Sequence, residues 1–157
     1  MLEPSLKDAE LRAPTATGGA EVAKGAEPAE KVWVGFDLGG TKMNAVLFDR
    51  KFEAIARRKK KTRGADGATA GVERIRATIE KLLEEGNVDR SRLGGIGVGC
   101  PGPLDLDEGI ILAAPNLGWK DVPLKKTLEK EFGCPVWICN DVDAGVYGEF
   151  RFGAAIG

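Results

Sequence analysis

An α/β fold on a mixed β-sheet is expected from three features of this 157-residue chain. Three extended segments follow one another almost without gaps near 32–38, 43–49 and 52–62, as in an antiparallel meander. Residues 68–86 then carry an apolar stripe at the helical period. After that, short apolar runs alternate with helical patterns, which favours parallel pairing with helices on the sheet faces. The predicted order is β-β-β-α-β-(ribbon)-α-β-α.

The meander comes first. Val32 to Leu38 is a strand that ends at Asp37-Leu38-Gly39-Gly40-Thr41-Lys42, and Met43 begins the next strand. Glycines here can take φ > 0 and let backbone amides approach an anion. Asp37 can hold magnesium through water, and Thr41 and Lys42 add a donor and a positive charge. Such a turn suits nucleotide phosphates, but Gly-Gly is also an ordinary hairpin turn with no ligand. A Walker loop is excluded by order: Gly35 and Gly40 have its spacing, yet Thr41 precedes Lys42 and a strand follows instead of a helix. The third segment ends in Arg57-Arg58-Lys59-Lys60-Lys61-Thr62-Arg63. That run reads as an edge strand guarded by cations, with a nucleic-acid patch as the alternative.

In the helix at 68–86, Val72, Ile75, Ile79, Leu82 and Leu83 share one face and Gly86 stops it. Gly94 to Cys100 reads as a buried strand with close backbone neighbours, broken by Pro101-Gly102-Pro103. A ribbon near 104–113 carries Asp105, Asp107 and Glu108 as turn formers. A second helix is expected at 122–132, with Asp121 as N-cap, Pro123 in the first turn, and Leu124, Leu128 and Phe132 inward. Pro135 to Cys139 is another buried strand. A third helix starts near Asp141, with Val142, Val146 and Phe150 on one face. Residues 1–30 have few large apolar side chains and are expected to be a disordered tail.

Composition narrows function. Histidine is absent, which excludes a His base, a Ser-His-Asp triad and a His-containing zinc site within this chain. Cys134 and Cys139 are not spaced as a C-x-x-C zinc pair. With Cys100 they read as small buried hydrophobes, reduced in a cytoplasm, since no basic-then-apolar leader opens the chain. Net charge is −1, so no global field attracts nucleic acid or an acidic membrane. No apolar run approaches the length of a membrane span.

Three strands expected to run parallel end in unusual chemistry: Asp37 to Lys42, Cys100 to Pro103, and Cys139-Asn140-Asp141-Val142-Asp143. Open α/β sheets bind ligands outside the carboxyl ends of their strands. Asp141 at a helix start is either a cap alone or an ionised base beside a phosphate site, suited to orient a hydroxyl nucleophile in phosphoryl transfer.

Four stretches, in order, carry a resemblance: Gly-Phe-Asp-Leu-Gly-Gly-Thr-Lys (35–42), Gly-Val-Gly-Cys-Pro-Gly-Pro-Leu-Asp (97–105), Ala-Pro-Asn-Leu-Gly-Trp (114–119) and Cys-Asn-Asp-Val-Asp-Ala-Gly-Val-Tyr-Gly-Glu (139–149). Together they resemble the ROK family of sugar kinases and repressors, most closely its glucokinase-like members. The resemblance implies a ribonuclease H-like lobe of the actin/hexokinase type over residues 31–157, the N-terminal lobe of a two-lobed kinase whose second lobe is not expected within these 157 residues. It implies phosphorylation of a hexose, glucose first, by ATP and magnesium in the complete enzyme, and no turnover by this lobe alone. By it, Asp37, Gly39, Gly40, Thr41 and Lys42 face the phosphates and magnesium. Asp141 is the base, and Gly102, Asn116 and Asn140 contact the sugar. Two departures bear on sugar preference: Cys139 stands where an acid often precedes Asn-Asp, and Val142-Asp143 where a small residue and Asn often follow. The rival readings are a non-catalytic sugar-binding remnant and a regulator, although residues 1–30 show no helix-turn-helix pattern. An apolar surface shaped for a second lobe leaves a homodimer open.

Overall fold

A computed structural model of the chain describes residues 30–152, with side chains as far as residue 146. The segment expected to be a disordered tail lies outside them apart from Glu30, as does the Phe150 side chain. Strands β1 (Val32–Leu38), β2 (Lys42–Phe48), β3 (Ala54–Lys61), β4 (Leu93–Cys100) and β8 (Val136–Asn140) form one five-stranded sheet in the order β3-β2-β1-β4-β8. The meander is antiparallel as expected, and β1, β4 and β8 are parallel. Strand β3 is an edge, and its Arg57 to Lys61 run guards the backbone groups it leaves unpaired.

One face of the sheet is covered and dry. Val32, Val34, Phe36 and Leu38 alternate inward with Met43, Ala45 and Leu47 of β2. Helix α1 (Gly67–Glu85) lays Ile75, Ile79, Leu82 and Leu83 on them. Helix α2 (Leu124–Phe132) adds Leu124, Leu128 and Phe132. Each such side chain contributes roughly 1.5–3 kcal/mol when taken out of water. Gly133, in the left-handed conformation at φ 65, ends α2 as its sequence position predicts.

The opposite face carries Gly35, Asp37, Asn44, Val46, Phe48, Gly97 and Gly99 and is only partly covered by α3 (Asp141–Phe152). Val142 and Val146 were expected to share an apolar face on α3. They are 67% and 65% exposed, because the helix sets Ala144 rather than the valines against Gly99.

The ribbon is larger than expected. Strands β5 (Leu104–Asp105), β6 (Ile110–Ala114) and β7 (Trp119–Val122) form a second, three-stranded antiparallel sheet. Asp105 forms its turn by accepting the Glu108 N–H at 2.9 Å. Strand β7 takes residues that the sequence pattern gave to the second helix, which therefore starts at Leu124 and not at 122. Asp121 lies in β7 with φ 51 and does not cap the helix, and the cap position falls to Pro123. The cause is tertiary. Buried Trp119 fills a slot left by Gly71 on α1, so close that a Cβ at Gly71 would lie 1.9 Å from the ring. That anchor holds 119–122 extended against β6.

Gly71→Val should therefore destabilise the fold by about 1–3 kcal/mol or more through overpacking, read as a lowered urea midpoint. An unchanged midpoint would mean that Trp119 moves aside without cost.

Candidate functional site

The turn after β1 is a hairpin closed on two residues. Gly39 N–H donates to the Lys42 carbonyl at 3.0 Å, Leu38 pairs with Met43, and Asp37 pairs with Asn44. Two expectations change here. Neither Gly39 nor Gly40 has a positive φ; what the turn requires is room. A Cβ at Gly39 would meet the Lys42 oxygen at 2.7 Å, and one at Gly40 would press on Asn116 Cβ at 3.3 Å. The Gly39 amide is also used within the hairpin. The amides of Gly40 and Thr41 make no hydrogen bond to the described residues, so these two donors are uncommitted. Thr41 and Lys42 are exposed, and Lys42 has no ion pair among the described residues.

Asp37 is exposed at the end of β1, and Asn44 Nδ2 donates to its Oδ2 at 3.0 Å. Register then brings the other strand ends alongside. Asp37 pairs with Gly99, and Gly99 with Cys139. Because Gly99 has no side chain, α3 approaches closely: a Cβ there would lie 3.6 Å from Asp141 Cα and 3.7 Å from Ala144 Cβ. Asp141 thus sits above Gly99, one strand spacing of about 4.8 Å along the sheet from Asp37. Both carboxylates line one open groove of about 560 Å³, together with Asn44, Gly97, Gly99 and Cys139.

Asn140 and Asp141 share the start of α3. Val142 N–H lies 3.0 Å from both Asn140 Oδ1 and Asp141 Oδ1. Each side chain engages the helix end through one oxygen, which leaves Asn140 Nδ2 and Asp141 Oδ2 available. Gly102 (φ 91) packs so tightly on β6 that a Cβ would fall 1.8 Å from the Ala113 oxygen, and Ala114 Cα is its next neighbour. Two residues further on, Asn116 touches Gly40. Residues 101–103, 113–116 and 39–42 are therefore one continuous patch. Asn116, which the resemblance assigned to the sugar, touches the Gly39–Lys42 turn.

Cys100 and Cys134 are buried as expected, but Cys139 is only half-buried and lines the groove. Burial, followed by the charges of Asp143 and Asp141, raises its thiol pKa. Burial with Cys139 and Asp141 pushes Cys100 to about 12. These thiols stay protonated at neutral pH and are not nucleophiles of the site.

Three residues here escaped sequence reading. Asn44 was accessible in principle, since a hairpin closed on Gly40-Thr41 puts it opposite Asp37. Thr62 and Arg74 were not. Thr62 Oγ1 donates to the Gly39 carbonyl at 2.7 Å, and Arg74 on α1 donates to the Thr62 carbonyl. Only the folded chain brings those groups together.

Comparison with known proteins is consistent with this geometry. Residues 33–157 match the family described as ROK. The chain belongs to the ROK family. It is 34% identical over 128 residues to a glucokinase of Halalkalibacterium halodurans, covering 82% of this chain and 39% of that protein. It is 35% identical over 120 residues to a putative xylose repressor of a Caldicellulosiruptor species, covering 76% of this chain and 30% of that protein. A crystal structure of a ROK family glucokinase from Streptomyces griseus, in complex with glucose and AMPPNP, superposes with a TM-score of 0.70 at 33% identity over 80% of this chain and 38% of that one. The fold of this ROK chain is thus that of the sugar kinases, and the chain spans about two fifths of the length of the kinase relatives it matches. Among the described residues, no helix is long and apolar enough to cross a membrane.

Native-state alkylation should read the thiol order directly. At pH 8, iodoacetamide should modify Cys139 first and Cys100 last. All three rates should climb as pH rises, because each raised pKa leaves less thiolate below it. Peptide mass spectrometry gives the rates, and Cys100 reacting first would contradict the burial described.

Proposed function

We propose that residues 31–157 form a phosphate- and sugar-facing lobe of an ATP-dependent hexose kinase, with glucose as the expected acceptor. One observation carries the reading: Asp37 and Asp141, at the ends of parallel strands, line the same groove beside a turn whose Gly40 and Thr41 amides and Lys42 have no partner among the described residues. The glucokinase relatives support it.

In this reading the Gly40 and Thr41 amides and Lys42 hold the phosphates, and Gly39 shapes the turn. The residues fit a hydrated magnesium ion: Asp37 is exposed, is held in place by Asn44, and has no ion pair among the described residues. Magnesium bound there would neutralise charge on the transferring phosphate. Asp141 accepts the proton of the sugar hydroxyl through Oδ2, which suits the observed engagement of its other oxygen at the helix start. Asn140 Nδ2 reaches a neighbouring sugar hydroxyl, and Gly102 and Asn116 border the same acceptor. Asn116 against Gly40 puts the sugar side next to the phosphate side, as in-line transfer requires. The remaining walls of the cleft come from a second lobe, and without them positioning worth several kcal/mol of barrier is missing.

A second reading is supported by the 31% identity over 120 residues to a xylose repressor of Caldicellulosiruptor bescii: a sugar-responsive regulator with the same lobe. Salt-dependent DNA binding by the complete protein would favour it.

Joined to the second lobe of a ROK glucokinase, this lobe should phosphorylate glucose. Asp141→Asn should cut kcat by about 10²–10⁴-fold with little change in glucose KM, since the base acts mainly in the transition state. The 157-residue chain alone should show no turnover in a coupled assay with ATP, magnesium and glucose. An Asp141→Asn rate within threefold of the parent would reduce Asp141 to a helix cap.

A further inference from the structure

We infer that Thr62 is a positioning residue for phosphate binding, the keystone that holds the Gly39–Lys42 turn open toward an anion. The inference rests on the phosphate reading of that turn and extends it to residues that touch no ligand.

Thr62 and Thr78 are the buried polar side chains among the described residues, and Thr62 is fully buried. It stands immediately after β3 and grips the turn at two points. Its Oγ1 donates to the Gly39 carbonyl at 2.7 Å, and its N–H donates to the Thr41 carbonyl at 2.9 Å. The two gripped carbonyls flank Gly40. With them drawn inward toward β3, the Gly40 and Thr41 amides are left unbonded. Free amides on a turn otherwise reorient toward any internal acceptor within reach, so the grip keeps donors available for a phosphate.

The keystone is itself held. Its carbonyl accepts from Arg74 Nη1, and Arg74 Nη2 donates to Asp66 Oδ2 at 2.7 Å. The next residue, Arg63, sits in the left-handed region at φ 52 and ψ 52, a costly conformation for a non-glycine residue. It persists because both neighbours are fixed: Thr62 by its three hydrogen bonds, and Gly64 by packing in which a Cβ would lie 2.8 Å from Leu117 Cα. Leu117 in turn follows Asn116, which presses on Gly40. Residues 62–66 thus tie the turn to α1 on one side and to the Asn116 segment on the other. The backbone contact to Thr41 continues the β2–β3 ladder and is open to any residue with an N–H; what the threonine adds is the hydroxyl bond to Gly39, the grip on the other side of Gly40.

The test uses the 157-residue chain and inorganic tripolyphosphate with magnesium, titrated by NMR on backbone amides. Thr62→Val keeps the shape and loses the hydroxyl; Thr62→Ser keeps the hydroxyl. Thr62→Val should weaken tripolyphosphate binding at least tenfold and speed hydrogen exchange at Gly39, while amide exchange in Val34 and Phe36 stays within about threefold of the parent. Thr62→Ser should restore affinity to within threefold. Asp66→Asn, a half-exposed change far from the phosphates, should weaken binding about threefold by loosening Arg74, and it decides the matter if Thr62→Val does not fold. Thr62→Val binding within twofold of the parent, or Thr62→Ser as weak as Thr62→Val, would overturn the keystone role while leaving the phosphate site standing. With Thr62→Val unfolded, unchanged affinity in Asp66→Asn would overturn it too. A parent chain whose Gly40 and Thr41 amides do not respond to tripolyphosphate would overturn both the phosphate site and its keystone.

Discussion

The parallel pairing of β1, β4 and β8 sets the two carboxylates, Asp37 and Asp141, beside each other at the rim. Backbone ladders fix which residues stand side by side, and here they align Asp37 with Gly99 and Gly99 with Cys139. A slip of one residue on β4 would carry its glycines to the covered face and put Val98 or Cys100 under α3. The alternation of Val98 and Cys100 toward the core prevents that slip, since both are fully buried. Hydrophobic burial on one face thereby determines where carboxylates stand on the other.

Clearance is the second requirement. The row between the two carboxylates is empty because Gly97 and Gly99 carry no side chains, and the groove exists in that space. The same economy recurs at Gly71, where Trp119 enters α1, and at Gly102, where a loop lies on β6. Each glycine lets two backbones or a backbone and an indole approach more closely than a Cβ would allow. The entropic cost of glycine, about 0.5–1 kcal/mol within an element, is accepted where close approach builds the site.

The larger frame was legible before folding because period and punctuation agree along most of the chain. The α1 stripe at Val72, Ile75, Ile79, Leu82 and Leu83, the edge cations of β3, and the three polar strand ends all needed only local pattern. The start of α2 was not legible. Val122 and Pro123 read locally as a helix entry, but Trp119 is held by a residue on α1 nearly fifty positions earlier, and that contact keeps the segment extended. The turn glycines were read for their dihedral freedom, whereas the structure uses their lack of a Cβ. The grip of Thr62 on Gly39 was invisible for the same reason as the Trp119 slot: hydrogen bonds between distant segments leave no periodic trace. Asn44 was within reach, because the register of a two-residue hairpin assigns it to Asp37.

The metal–phosphate site proposed at the β1–β2 turn lies within about 10 Å of Asp141, on the order of two strand spacings. Paramagnetic relaxation tests it directly. With manganese in place of magnesium and tripolyphosphate present, amide signals of Gly40, Thr41 and Lys42 should broaden most strongly. Those of Gly99, Asn140 and Asp141 should broaden next, while Leu82 in α1 and Phe132 in α2 stay sharp. Broadening centred on the Arg57 to Lys61 run, or broadening at the turn that leaves Asn140 and Asp141 untouched, would contradict a single site shared by the strand ends.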